Sequence, residues 1–275
     1  CFNLPHFSGG SPTILVDSTL PVITENVVID ATTQPGTTGP QHVTVLGPGF
    51  GTAFDFNTID SALRGVRIEG FDTGVVLRGS GGHAVTGTFI DGGATAIHID
   101  QGPDNTIGGE SPADRVVIVN AETGVLIEGG TNNTLVGSLI GVDPASLPAG
   151  NQTGVMIVDS TGNTIGGSTA GARNVISDNV VGVHLVDAAD NTIIGNLIGT
   201  DTTGQFALGN ERGVVIEGGG STGNLIGDRV GANPDVGSRG SSNVIAGREW
   251  SNVHILDGAS GNIVRANFIG TDITG

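Results

Sequence analysis

The segment "NTIGG" at Asn163–Gly167 also stands at Asn105–Gly109, with near-copies "NTIIG" at Asn191–Gly195 and "NLIG" at Asn224–Gly227. Ahead of each copy lies a strand-like run: "AIHI" from Ala96, "GVLI" from Gly124, "GVMI" from Gly154, "GVHL" from Gly182 and "GVVI" from Gly213, with "GVVL" from Gly74 before them and "NVHI" from Asn252 after. Starts of these runs are separated by 22, 28, 30, 28, 31 and 39 residues. An interval of this size marks a stacked repeat architecture. Within a unit the alternation has period two: in "GVHL", Val183 and Leu185 face one way and His184 the other. Each unit reads as three short strands separated by Gly and Asn corners, with a variable loop. Strands this short suit a coil in which each pairs in parallel with its copy on the next turn.

The expectation is an all-β, right-handed, single-stranded parallel β-helix of about eight or nine coils, with handedness following the preference of parallel crossovers. At about 4.8 Å per coil the rod is roughly 40 Å long. The corner asparagines Asn105, Asn133, Asn163, Asn191, Asn224 and Asn262 are expected to be structural. Asparagine tolerates left-handed backbone, and its amide can bond to the amides above and below in a ladder. Residues 1–275 read as one β-helix domain, less regular over 1–60 and regular over 61–275. "CFNLP" and "GTDITG" at the two ends read as interrupted repeats of a longer chain.

Composition agrees with thin, regular layers: 37% of residues are hydrophobic, yet aromatics make up only 4%, with no Tyr and one Trp. Glycine, at 49 residues, far exceeds its usual share of about 7%, and serves the turns. The ten basic residues are all Arg, against 27 carboxylates, giving a net charge of −17. Such a surface repels nucleic acid and anionic membranes. No apolar run reaches the length of a membrane span, and one cysteine, Cys1, precludes an intrachain disulfide.

Two loop motifs alternate along the array. "GGSTAGARNVISDN" (166–179) is echoed by "GGESPADRVVIVN" and loosely by "GDRVGANPDVGSRGSSNVIAG", while "IGTDTTGQFALGN" (198–210) is echoed by "IGVDPASLPAGN" and "IGTDITG". In these segments the chain resembles the bacterial parallel β-helix repeat proteins over about residues 60–275. The resemblance implies a secreted or surface-attached chain and carries little functional meaning beyond the fold.

The chemistry offered is sparse. Asp159 and Asp187 hold equal positions on neighbouring coils, about 5 Å apart, and are the candidate metal pair. No cofactor is required, and Ca²⁺ is the ion such carboxylates suit. Asp143, Asp201 and Asp272 recur in "GxD" loops on alternate turns and read chiefly as turn aspartates. Arg115 and Arg173 sit at matching places before the third strand in the "GARN" loop type, and Arg173 is expected to pair with a nearby Asp or reach a loop carbonyl. Absence of Lys and Tyr removes two of the bases a polysaccharide lyase could use. His98, His184 and His254 share one outward position but stand two or three coils apart, too far for joint metal ligation. They belong to an outward row, Val76, His98, Leu126, Met156, His184, Val215 and His254, read as a contact stripe. Asn132 and Asn151 head glycosylation sequons.

The function expected is an extracellular or cell-surface structural or adhesive rod. Its partners are further copies of itself, end to end or side by side, or extracellular glycans. The alternative is a Ca²⁺-dependent carbohydrate-active enzyme or polysaccharide-binding module.

Overall fold

A computed structural model describes residues 12–34, 41–228 and 241–275. The "CFNLP" stretch and most of the long loop after Gly227 lie outside them. The chain winds as a right-handed parallel β-helix whose three faces are parallel sheets of eight, nine and ten strands. The eight-stranded face holds the longest strands: Thr52–Ile59, Thr73–Gly81, Thr95–Asp100, Thr123–Glu128, Thr153–Val158, Val181–Val186, Asn210–Glu217 and Gly247–Ile255. In one representative turn, Thr153–Val158 leads to Thr164–Gly166 on the nine-stranded face, then to Val175–Ile176 on the ten-stranded face. Every named pairing is parallel, and each strand bonds to its copy one coil away.

Inward residues stack in columns. On the eight-stranded face Leu77, Ile99, Ile127, Ile157, Leu185 and Ile216 align in register and are buried. Burying each such side chain contributes about 1.5–3 kcal/mol. Beside them runs a column of small residues: a Cβ on Gly154 would meet the Gly182 carbonyl oxygen at 2.7 Å and Ile176 Cγ2 at 2.9 Å. The carbonyl of the next coil and the isoleucine opposite leave no room there for a larger side chain.

The corner from the eight- to the nine-stranded face carries the continuous ladder Asn105, Asn133, Asn163, Asn191, Asn224 and Asn262. From Asn133 onward each Oδ1 accepts the backbone N–H and the side-chain amide of the asparagine one coil earlier, while Asn105 Oδ1 accepts the His83 N–H at 2.9 Å. For Asn133 to Asn163 the distances are 2.9 and 3.0 Å, and for Asn191 to Asn224 they are 2.9 and 3.1 Å. Towards the N-terminus His83 and Ser61 take over the column. His83 Nδ1 accepts the Ser61 N–H at 3.2 Å, and Ser61 Oγ accepts the Val27 N–H at 3.1 Å. The left-handed backbone expected of the ladder residue is found one position earlier, at Asp104, Asn132, Gly162, Asp190, Gly223 and Gly261. Geometry divides the two tasks, because the residue that reverses the chain cannot also aim its amide along the axis.

Two further ladders occupy the other corners. Asn174, Asn196, Asn243 and Asn267 stack before the ten-stranded face. Asn151, Asn179 and Asn210 stack before the eight-stranded one. The loop motifs leave from these same corners. "GxD" loops join the ten- to the eight-stranded face, and the "GARN" type joins the nine- to the ten-stranded face, each on alternate coils. Loops of one type touch their own kind two coils away: Ser146 Oγ lies 3.0 Å from Thr202 Oγ1, the Ile273 N–H donates to Gly204 O at 3.0 Å, and Thr169 Oγ1 donates to Glu110 Oε2 at 2.9 Å.

Asn163→Ala leaves two buried donors of Asn133 without an acceptor. It is expected to destabilise the chain by about 2–6 kcal/mol, at 1–3 kcal/mol per unsatisfied group, measured by chemical denaturation. Asn132→Gly, in the left-handed slot, is expected to change stability by less than about 1 kcal/mol.

Candidate functional site

The outward row of the eight-stranded face is the most varied surface the coils build. Cα pairing aligns Val76 with His98, His98 with Leu126, Leu126 with Met156, Met156 with His184, His184 with Val215, and Val215 with His254. Asp55 extends the row one coil earlier. Each member stands between two inward residues, so its side chain projects from the sheet. Most are half-buried by their neighbours; Val215 is buried and His254 exposed.

Side-chain pairs cross this face on one diagonal, from a row residue to the residue two positions further along on the next coil. Arg78 donates to both carboxylate oxygens of Asp55, at 2.8 and 2.5 Å. His98 Nε2 meets Glu128 Oε2 at 3.2 Å in a hydrogen bond. His184 Nε2 lies 3.3 Å from Glu217 Oε1, but no hydrogen bond forms, and the nitrogen has essentially no contact with solvent. Glu128 and Glu217 could have been found by pairing each row histidine with the position two beyond it on the following repeat. Sequence spacing alone obscured them, since the coils differ in length.

Asp159 and Asp187 do occupy neighbouring coils, in a column of left-handed turn residues with Gln101, Gly129, Gly218 and Asp257. Both are exposed, and Asp187 Oδ1 accepts the Gly220 N–H at 2.9 Å. The backbone slot accounts for aspartate alternating there with glycine. Among the described residues no group of three or more His, Cys, Asp or Glu side chains is placed to hold a metal ion.

The "GxD" carboxylates fasten their own loops. Asp143 Oδ1 accepts the Ala145 and Leu147 N–H groups, both at 2.8 Å. Asp201 Oδ1 accepts those of Gln205 and Phe206 at 3.0 Å, and its Oδ2 accepts the Thr203 hydroxyl at 2.7 Å. Asp272 accepts the Thr274 N–H and hydroxyl at 2.8 and 2.6 Å. Desolvation raises the Asp201 pKa, but the Phe206, Thr203 and Gln205 bonds outweigh it and hold the carboxyl below its ordinary value of 3.8. At corresponding places these loops hold out Leu147 and Phe206, 60% and 69% exposed. Of the two matched arginines, Arg115 Nε donates to Gly137 O at 3.1 Å, and Arg173 is drawn below its ordinary pKa by burial.

Residues 53–217, more than half of the chain, match the model of a family described as periplasmic copper-binding protein (NosD). The chain belongs to the NosD family. The match begins within the first long strand and ends with Glu217, so it spans the outward row from Asp55 to Val215. Among solved structures, the A-module of mannuronan C-5 epimerase AlgE4 from Azotobacter vinelandii is 14% identical, covering 94% of this chain and 87% of that one, with a TM-score of 0.27. At that score the likeness carries no argument about activity. No curated protein matches the chain. Among the described residues no helix is long and apolar enough to cross a membrane.

Because the Asp201 carboxyl titrates lower in the folded chain, its contribution to stability is complete above the ordinary carboxylate range and is lost as pH falls through the lowered folded value. Asp201→Asn is therefore expected to melt below the parent at pH 7. The gap should close progressively below pH 3.8, as followed by circular dichroism melts across pH.

Proposed function

We propose that the chain is an exported, rigid β-helix rod with a structural or adhesive role, working through the surfaces it displays. The observation that carries this reading is the ladder at every corner, which holds the strands in register and leaves the outward row and the loops as the varied surfaces. On this reading residues 1–275 act as a single domain. Self-association, end to end or side by side, is the partner relation the surfaces suit best. Exposed Leu147 and Phe206 offer an apolar edge for such contact or for extracellular glycans. The family's description as periplasmic supports export.

A second reading, copper binding, is favoured by one specific observation. The sole methionine of the chain, Met156, stands beside His184 in the outward row, and the matched family is described as copper-binding. The donor set is small, and its softness is right for copper.

Negative-stain imaging of the purified chain, with Ca²⁺ and with a chelator, tests the rod reading. Filaments or lateral arrays of rods are expected in both conditions. Monodisperse single rods at high concentration would overturn self-association.

A further inference from the structure

We infer that a cleft at the corner between the nine- and ten-stranded faces binds a glycan through one acidic sugar, Arg64 taking its carboxylate and Asp114 a hydroxyl. The inference rests on the glycan partner named above and gives it a place and a chemistry. The cleft comes from a break in the loop alternation. At this corner the "GARN" loops after Thr106–Gly108 and Thr164–Gly166 stand two coils apart and touch through Glu110 and Thr169. The preceding insertion opens with the short 3₁₀ turn Ala31–Thr33, three coils before the first of these loops. Both coils between turn the corner directly. Gly65 alone separates Ala62–Arg64 from Val66–Glu69, and Gly87 and Thr88 separate Ala84–Thr86 from Phe89–Asp91. Two coils give about 10 Å of height, which loops can fill, and three give about 14 Å. The opening left is about 650 Å³, within the range of about 300–1,000 Å³ common for small-molecule sites.

Thr32 and His42 line one side of the cleft, Ala113 and Asp114 the other, and Arg64 and Thr86 the floor. Arg64 pairs with Thr86 on the adjacent strand, and the Gly87 N–H donates to Asp114 O at 2.9 Å, so the three side chains come from successive coils. Among the described residues neither the Arg64 guanidinium nor the Asp114 carboxylate has an ion pair or a side-chain hydrogen bond. Arg67 and Arg78, by contrast, are held by carboxylates. Asp30 precedes Arg64 in its column, but its Oδ1 accepts the Thr32 N–H at 2.9 Å and the Thr32 hydroxyl at 2.6 Å. An unpaired guanidinium offers a fork of donors matched to a carboxylate. Two coils away, the Asp114 carboxylate is an acceptor without a donor. A sugar acid supplies both needs, with a carboxylate at one edge of its ring and hydroxyl donors at the other. The net charge of −17 then limits the ligand, because each further carboxylate is repelled by the surrounding surface. A glycan with one acidic residue among neutral ones fits better than a polyuronate.

The test is calorimetric titration of the full chain with cellobiouronic acid, cellobiose and trigalacturonate, run on the parent and on Arg64→Gln, Asp114→Asn and Arg212→Gln. Arg64 is exposed, so its replacement should leave the melting temperature unchanged, and Arg212 stands on the eight-stranded face as a control. The parent is expected to bind cellobiouronic acid about tenfold more tightly than cellobiose. Trigalacturonate should bind more weakly than cellobiouronic acid at low salt, with the gap narrowing as salt screens the surface. Arg64→Gln should lose about tenfold for cellobiouronic acid and with it the preference for the acid. Asp114→Asn should weaken both disaccharides, and Arg212→Gln should match the parent. Parent-like binding in both Arg64→Gln and Asp114→Asn would overturn the cleft while leaving glycan binding in place. Equal binding of cellobiouronic acid and cellobiose by the parent would overturn the role of Arg64. Failure of the parent to bind any of the three would overturn the cleft and the glycan partner together.

Discussion

The amide of a corner asparagine, bonded along the axis to the next amide, is the constraint on which the rest of the structure depends. A coil must reverse direction three times, and at each reversal the strand ladder lapses, leaving backbone N–H groups buried between turns. An asparagine side chain replaces the missing acceptor, and its own amide donates onward to the following coil. The donation runs one way from each coil to the next, so the position of one turn determines that of the next. Inward columns of Ile, Leu and Val then pack in register, and outward residues align as rows.

Much of this was legible because repetition averages out local ambiguity. A single run such as "GVHL" would be a weak strand signal, whereas seven aligned copies reveal the period, the inward set and the outward row. One corner ladder was legible for the same reason, since Asn105, Asn133, Asn163 and Asn191 keep a constant offset from the strand. The other two were obscured by the loops of unequal length that meet those corners. A local signal did exist: Asn174, Asn196, Asn243 and Asn267 each directly precede a short apolar pair, and Asn151, Asn179 and Asn210 each fall three residues before the glycine of the long strand. The left-handed turn was assigned one residue late, because the slot accepts Asp, Asn or Gly and so shows no fixed letter. His83 could not be recognised as a ladder member either, since its ring nitrogen imitates an amide oxygen only in position.

The site was legible as a row of positions and opaque as chemistry. Alternation predicts which residues point outward, but not which of them find partners on the next coil. The diagonal pairs Asp55–Arg78, His98–Glu128 and His184–Glu217 arise from the stagger between coils, which only coordinates supply. Conversely, the carboxylates most noticeable in the sequence, in the "GxD" loops, spend their acceptor capacity on holding those loops closed. A β-helix of this kind separates its duties by direction: inward for cohesion, corners for register, outward for encounter.

The alternation of loop types has a steric origin that bears on how such a chain can grow. Adjacent strands sit about 4.8 Å apart, less than the thickness of a folded loop, so identical loops on successive coils would collide. Sending each type out on every second coil doubles the vertical room to about 10 Å, the spacing at which two layers of polypeptide pack face to face. The contacts from Ser146 to Thr202 and from Glu110 to Thr169 show loops filling that height. Each corner thus carries a second, slower lattice at half the frequency of the coil. Insertions can lengthen a loop sideways without disturbing the inner winding, giving an unchanging interior and an edge free to diversify.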